Sequence, residues 1–149
     1  MQITYHLAAP SDIETMLELI REFYAYDRHE YDEAVVRPAL RLLLENEVYG
    51  RAWLVKVAGQ TAGYIVVTYG FALESGGRDL LIDEIYLREA YRGQGIGTKM
   101  IEFLKAFCHE QGIGKLWLEV DDHNDAALTF YQRVGFVPES SLFMQMTIP

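Results

Sequence analysis

Tyr91-Arg92-Gly93-Gln94-Gly95-Ile96-Gly97-Thr98 stands between an apolar run, Leu80 to Leu87, and an amphipathic run, Ile96 to Gln111, and reads as strand, glycine-rich turn and helix start. The first N–H groups of a helix have no intrahelical partner, and the positive end of its dipole points the same way, so a phosphate or pyrophosphate is the natural occupant. Gly93, Gly95 and Gly97 let the backbone approach such a ligand with no Cβ in between, and Arg92 adds a planar donor fork suited to phosphate oxygens. The spacing excludes two common nucleotide loops. It is not G-x-G-x-x-G with an acidic ribose partner, and no G-K-[ST] follows four residues after a first glycine.

Strand and helix signals alternate outward from this stretch, with no internal repeat and no linker rich in Pro, Gly and Ser. Gln2 to Leu7 suits a strand, and Ser11-Asp12-Ile13-Glu14 reads as a capping box opening a helix that presents Ile13, Met16, Leu17, Ile20, Phe23 and Tyr24 on one face. A second helix is expected from Glu33 to Asn46, with Ala39, Leu40, Leu43 and Leu44 inward and Pro38 as its least comfortable residue. Arg51 to Ala58 and Thr61 to Phe71 form a hairpin about Gly59-Gln60, and Asp79 to Leu87 follows as a strand. The helix Ile96 to Gln111, ended by Gly112, then feeds a strand from Lys115 to Val120, the crossover that a parallel βαβ pair requires. A short helix from Asn124 to Val134, ended by Gly135, and a last strand from Leu142 to Thr147 complete an α/β mixed sheet with helices on both faces.

Arg92, Gly95 and Gly97 make up Arg-x-x-Gly-x-Gly, which resembles the acyl-CoA signature of the GNAT N-acetyltransferases. The segment from Asn124 to Phe136, an Asn opening a helix that carries Phe130-Tyr131 and ends at Gly135-Phe136, is similar to that family's C-terminal signature. Within the family, Leu81 to Leu87 followed by Tyr91 to Gly97 looks most like the spermidine/spermine and small-amine acetyltransferases. The resemblance implies one domain over residues 1–149, a six- to seven-stranded sheet flanked by about four helices, and strands splayed at the acyl-CoA site. Acetyl-CoA is then the cosubstrate, held by Arg92, Gly93, Gln94, Gly95, Ile96, Gly97 and Thr98, by the backbone of Ile85, Tyr86 and Leu87, and by Asn124, Ala127 and Tyr131. The implied reaction is acetyl transfer to a primary amine by direct attack in a ternary complex, with small cationic amines such as polyamines favoured. A protein N-terminal or lysine acetyltransferase and a non-catalytic acyl-CoA-sensing module stay open as alternatives.

Such a transfer needs a polarised carbonyl, a deprotonated amine and a proton for the leaving thiolate. The resemblance assigns the first to a backbone N–H near Ile85 and the last to Tyr131 as general acid. Aromatic residues in short helices also serve as packing, and Phe130 reads that way. A primary ammonium has a pKa near ~10, so an acceptor must take a proton before attack. Asp83 and Glu84 both sit on the apolar strand, facing opposite sides of the sheet unless a bulge re-aims one. Glu84 is the first choice as base and Asp83 the second. The segment Tyr24 to Glu33, dense in Tyr and acids, can hold a cationic amine through carboxylates and ring faces, or serve as a polar helix connection.

Composition bounds the rest. The 149 residues, half of them apolar, suffice for one substantial core, and a net charge of -9 opposes binding to nucleic acid while suiting a cationic partner. Cys108 is the only cysteine, so no intrachain disulfide exists and a reducing cytoplasm fits. No stretch reaches the roughly 18 apolar residues of a membrane span, and no basic segment followed by an apolar one opens the chain. A cytoplasmic protein with no membrane partner is expected. His6, His29, His109 and His123 show no metal-ligand spacing, so no metal is expected. A homodimer is left open.

Overall fold

The structure, a computed structural model, describes every residue from Met1 to Pro149. The chain divides into two compact units, Met1–Glu119 and Val120–Pro149. The first is a mixed sheet of five strands in the order of the chain: β1 (Ile3–Leu7), β2 (Gly50–Val57), β3 (Gln60–Ala72), β4 (Gly77–Leu87) and β5 (Leu116–Leu118). The first four pair antiparallel, and β5 lies parallel to β4. Helices α1 (Ile13–Tyr26) and α2 (Glu33–Glu45) connect β1 to β2, and α3 (Ile96–Gln111) is the crossover from β4 to β5.

Alternation along the strands divides the core in two. On one face Ala52, Leu54, Tyr64, Val66 and Tyr86 meet Met16, Leu17, Leu19 and Ile20 of α1 and Leu40 of α2. On the other, Trp53 takes the rings of Phe103 and Phe107 edge-on at 5.1 and 5.0 Å, and Tyr5 stacks on Phe103 at 4.0 Å. Ile96, Met100, Ile101, Leu104 and Cys108 of α3 are buried at helical spacing. Each fully buried side chain of this kind contributes about 1.5–3 kcal/mol, so α1 and α3 clamp the sheet from both sides.

Several expected boundaries move for physical reasons. The hairpin turns at Ala58-Gly59, both with positive φ (50° and 81°), one residue earlier than Gly59-Gln60, because a two-residue primed turn needs two left-handed residues in succession. Ser11 does not cap α1. Pro10, its φ already preset, starts a single 3-10 turn (Pro10–Asp12), and the Asp12 carboxylate accepts the Ala9 N–H at 2.8 Å. Ala39 is exposed on α2, where Leu40 carries the burial. The last parallel strand is three residues rather than the stretch from Lys115 to Val120.

The second unit holds α4 (Asp125–Arg133), whose N-cap Asn124 accepts the Ala127 N–H at 3.1 Å. The strand expected from Leu142 to Thr147 does not form, so the sheet has five strands, not six or seven. Leu142, Phe143, Met144 and Met146 are more than 80% exposed. A strand exists through its neighbour's hydrogen bonds, and an apolar pattern names a face without supplying that neighbour.

Candidate active site

The site is organised by an irregularity in β4. Opposite β3, Glu84 pairs with Val66 and Ile82 with Val67, which leaves Asp83 as an extra residue without a partner. This is a β-bulge. Before it, Leu80 N–H bonds the Lys115 carbonyl beside β5; beyond it, Arg88 N–H bonds the Ala62 carbonyl on β3. By strand alternation the backbone groups of Ile85 and Leu87 then point away from β3. The ladder with β5 ends at Ile82–Leu118, so from Asp83 onward no strand pairs with that side of β4, at the place where a splay between these strands is expected.

Glu84 lies on the α1 face of the sheet. One carboxylate oxygen accepts the Tyr24 hydroxyl at 2.5 Å and the other the Tyr64 hydroxyl at 2.6 Å. Burial pushes the Glu84 carboxyl above the usual range, the two phenol hydrogen bonds pull it down, Asp83 raises it and His29 lowers it. Asp83 is raised as well, by partial enclosure and then by Glu119, although its side chain still reaches solvent. The bulge therefore settles the orientation left open by sequence: Glu84 turns inward onto two phenols, and Asp83 faces outward.

The loop of residues 92–98 has the shape expected for an anion cradle. Gly93 and Gly95 are left-handed, at φ 74° and 80°, and a Cβ built on either meets nothing within 4 Å, so the space above the backbone is clear for a ligand. Gly95 is the N-cap of α3, with no side chain to cap it and no acid in the first turn. The N–H groups of Ile96, Gly97 and Thr98 are thus placed for phosphate oxygens, and the loop fits the pyrophosphate of a coenzyme A thioester. Arg92 is partly committed: its Nε donates to the Leu87 carbonyl at 2.8 Å and its guanidinium lies 4.1 Å over the Tyr26 ring. Gln94 Nε2 donates to the Ala90 carbonyl at 3.1 Å.

In the unit Val120–Pro149, Tyr131 on α4 packs edge-on against Phe130 and Phe136 at 5.2 and 5.6 Å, and burial pushes its hydroxyl up. A phenol held protonated is suited to donation. Asn124 and Ala127 are joined by the cap of the same helix.

The acetyltransferase (GNAT) family model matches residues 13–136. The chain belongs to the GNAT family. Family members are acyl-CoA-dependent N-acetyltransferases, and so is this chain. A thialysine N-ε-acetyltransferase from Bos taurus is 32% identical over 136 residues, covering 86% of this chain and 80% of that protein. A possible acetyltransferase from Clostridium difficile 630 superimposes with a TM-score of 0.89 at 20% identity, covering 100% of this chain and 99% of the other. A predicted acetyltransferase from Clostridium acetobutylicum, solved with acetyl-CoA, gives 0.81 at 18% identity, covering 97% and 96%.

Within this GNAT chain, the acids between α1 and α2 are largely answered by their neighbours. Glu33 binds Arg21 at 2.9 Å and Arg37 at 3.2 Å, Asp27 meets His29 at 2.8 Å, and Asp32 caps α2 through the Ala34 N–H at 3.0 Å. Sequence reasoning missed the two phenols on Glu84 and the fork of Arg88 onto Glu22, at 2.9 and 2.7 Å, which ties the end of β4 to α1. The sequence signal for Tyr64 was the one hydroxyl within the apolar stretch Ala62 to Val67 of β3, where a buried phenol needs a polar partner. His123 lies exposed beside Asp122 at 3.2 Å. No helix is long and apolar enough to cross a membrane.

Proposed function

We propose that residues 1–149 act as one N-acetyltransferase domain that moves the acetyl group of acetyl-CoA to the primary amine of a small cationic acceptor, by direct attack in a ternary complex. The observation that carries this reading is the Glu84 carboxylate, enclosed and doubly hydrogen-bonded beside the stretch of β4 whose outer backbone is unpaired. An ammonium arriving there meets an acceptor whose proton affinity burial has raised toward the working pH, which favours proton removal. Pantetheine amides would lie along the open side of Ile85–Leu87 like an added strand, with the Ile85 N–H toward the developing oxyanion.

Acetyl-CoA would be gripped at residues 92–98 by the first N–H groups of α3 and by the Nη atoms of Arg92. Tyr131 would return a proton to the departing thiolate. The Bos taurus relative, a thialysine N-ε-acetyltransferase, favours an acceptor of the thialysine kind, and Glu84 and Asp83 side by side on β4 would supply negative charge toward it. CoA release from acetyl-CoA across thialysine, lysine, diamines, polyamines, aminoglycosides and a peptide amine tests the reading. Turnover confined to peptides, or none with any amine despite acetyl-CoA binding, would overturn it.

A further inference from the structure

We infer that Tyr24 and Tyr64 are positioning residues for Glu84: two hydroxyls, one from α1 and one from β3, fix its carboxylate on the floor of the site and hold it as an anion ready to accept a proton. The inference rests on reading Glu84 as the base.

Distances of 2.5 and 2.6 Å, one to each oxygen, fall in the range of hydroxyls donating to a charged carboxylate. Each phenol has a single proton, and here both protons point at the same carboxyl group. A carboxylate accepts both as charge-assisted bonds, whereas protonation would remove that charge and weaken them. Burial and the Glu84 charge push both phenols well above their ordinary value, so they remain donors throughout the physiological range. A carboxylate offers about four lone-pair directions, so two bonds leave room for a proton from the amine or from a bridging water.

The two phenols differ in what holds them. Tyr64 is fully buried in β3 and is as rigid as the sheet. Tyr24 sits in the last turn of α1, where its carbonyl accepts the His29 N–H at 2.8 Å and the Arg28 N–H bonds Ala25 at 3.4 Å, closing the helix through a left-handed Arg28 at φ 58°. The rings of His29 and Tyr31 stand edge-on to it at 6.1 and 5.8 Å. The groups facing Glu84 are thus Tyr24 and His29 from α1 and its following loop, Tyr64 from β3 and Asp83 from β4, with Tyr31 against Tyr24 and Glu119 against Asp83. Only the two phenols donate hydrogen bonds to it.

The test is a carboxyl-carbon NMR titration of full-length protein labelled with 13C at the glutamate carboxyls, the Glu84 resonance being assigned by its loss in Glu84→Gln. Loss of one hydroxyl-to-carboxylate bond in Tyr24→Phe or Tyr64→Phe should move the Glu84 midpoint upward by about 1 pH unit, a tenfold gain in proton affinity. With thialysine as acceptor, the acid limb of kcat/KM should move the same way. A midpoint unmoved in both variants would overturn the inference. So would a midpoint that falls, since that reports a loosened site admitting water rather than a lost donor. Failure of the base reading shows separately, as a Glu84→Gln enzyme that keeps both the wild-type rate and the acid limb.

Discussion

Gly95→Val separates the two tasks of the loop before α3, because the structure supplies a matched control. Gly95 and Gly76 share φ 80°, and a Cβ on either meets nothing within 4 Å, yet Gly95 opens α3 while Gly76 lies in the turn between β3 and β4. Valine in a left-handed conformation costs about 1–3 kcal/mol at either place. At Gly95 its branched side chain also fills part of the open space before α3 that a ligand on the N–H groups of Ile96, Gly97 and Thr98 would need. Hydrogen bonds to a charged group contribute about 1.5–3 kcal/mol each, so losing two of them weakens acetyl-CoA binding by roughly a hundred- to ten-thousandfold. Thermal unfolding should show comparable destabilisation of Gly95→Val and Gly76→Val, while calorimetry with acetyl-CoA should show the affinity loss in Gly95→Val alone. Unchanged affinity in Gly95→Val, or an equal loss in Gly76→Val, would refute the cradle.

Tyr131→Phe should lower turnover by roughly ten- to a thousandfold with acetyl-CoA affinity nearly unchanged, a split read by steady-state rates and calorimetry. Wild type should lose stability relative to Glu84→Gln as pH rises, because burial raises the folded-state pKa of Glu84 above its unfolded value: its stabilising contribution is fully present below the unfolded pKa and lost as pH rises through the folded one. Urea unfolding of both proteins at pH 7.5 and at about pH 4 checks that only the wild type carries this pH dependence. A diamine should have a higher kcat/KM than a monoamine of equal length, and the difference should shrink as salt screens Asp83 over a Debye length of ~8 Å, which initial rates across ionic strength will show. Ala58→Gly should stabilise the protein by about 1 kcal/mol in the same urea assay, because Ala58 holds φ 50° in a turn that glycine adopts without strain.

What could be read from sequence was what neighbours in the chain decide. α3 was legible from Ile96 to Gln111, since its apolar spacing and the left-handed Gly112 that ends it, at φ 69°, are local signals. The left-handed glycine turn that opens α3 at Gly95 was legible for the same reason. Glu84 and Asp83 stood out as acids on an apolar strand, but their division of labour depends on the register with β3, which no pattern within β4 contains. Tyr24 is 60 residues from Glu84 and Tyr64 is 20 away, so their meeting is a product of packing. The apolar tail misled because its composition suits a strand whether or not a partner edge is present.

The bulge at Asp83 explains why one short segment can serve both halves of the chemistry. Leu80 and Arg88 are an even number of residues apart, so in a regular strand their N–H groups would point to the same neighbour; here the first bonds beside β5 and the second bonds β3. One inserted residue makes that switch. It turns the Ile85 N–H to the open side of the sheet, and it changes the face on which the following side chains lie. Ile82 pairs with Val67, outside the α1 core, whereas Glu84 pairs with Val66, inside it and beside Tyr64. A regular strand would instead send Glu84 to the α3 face, away from both phenols, and would spend the Ile85 N–H on β3. The extra residue at Asp83 thus brings an outward-facing N–H and a doubly hydrogen-bonded carboxylate to the same end of β4.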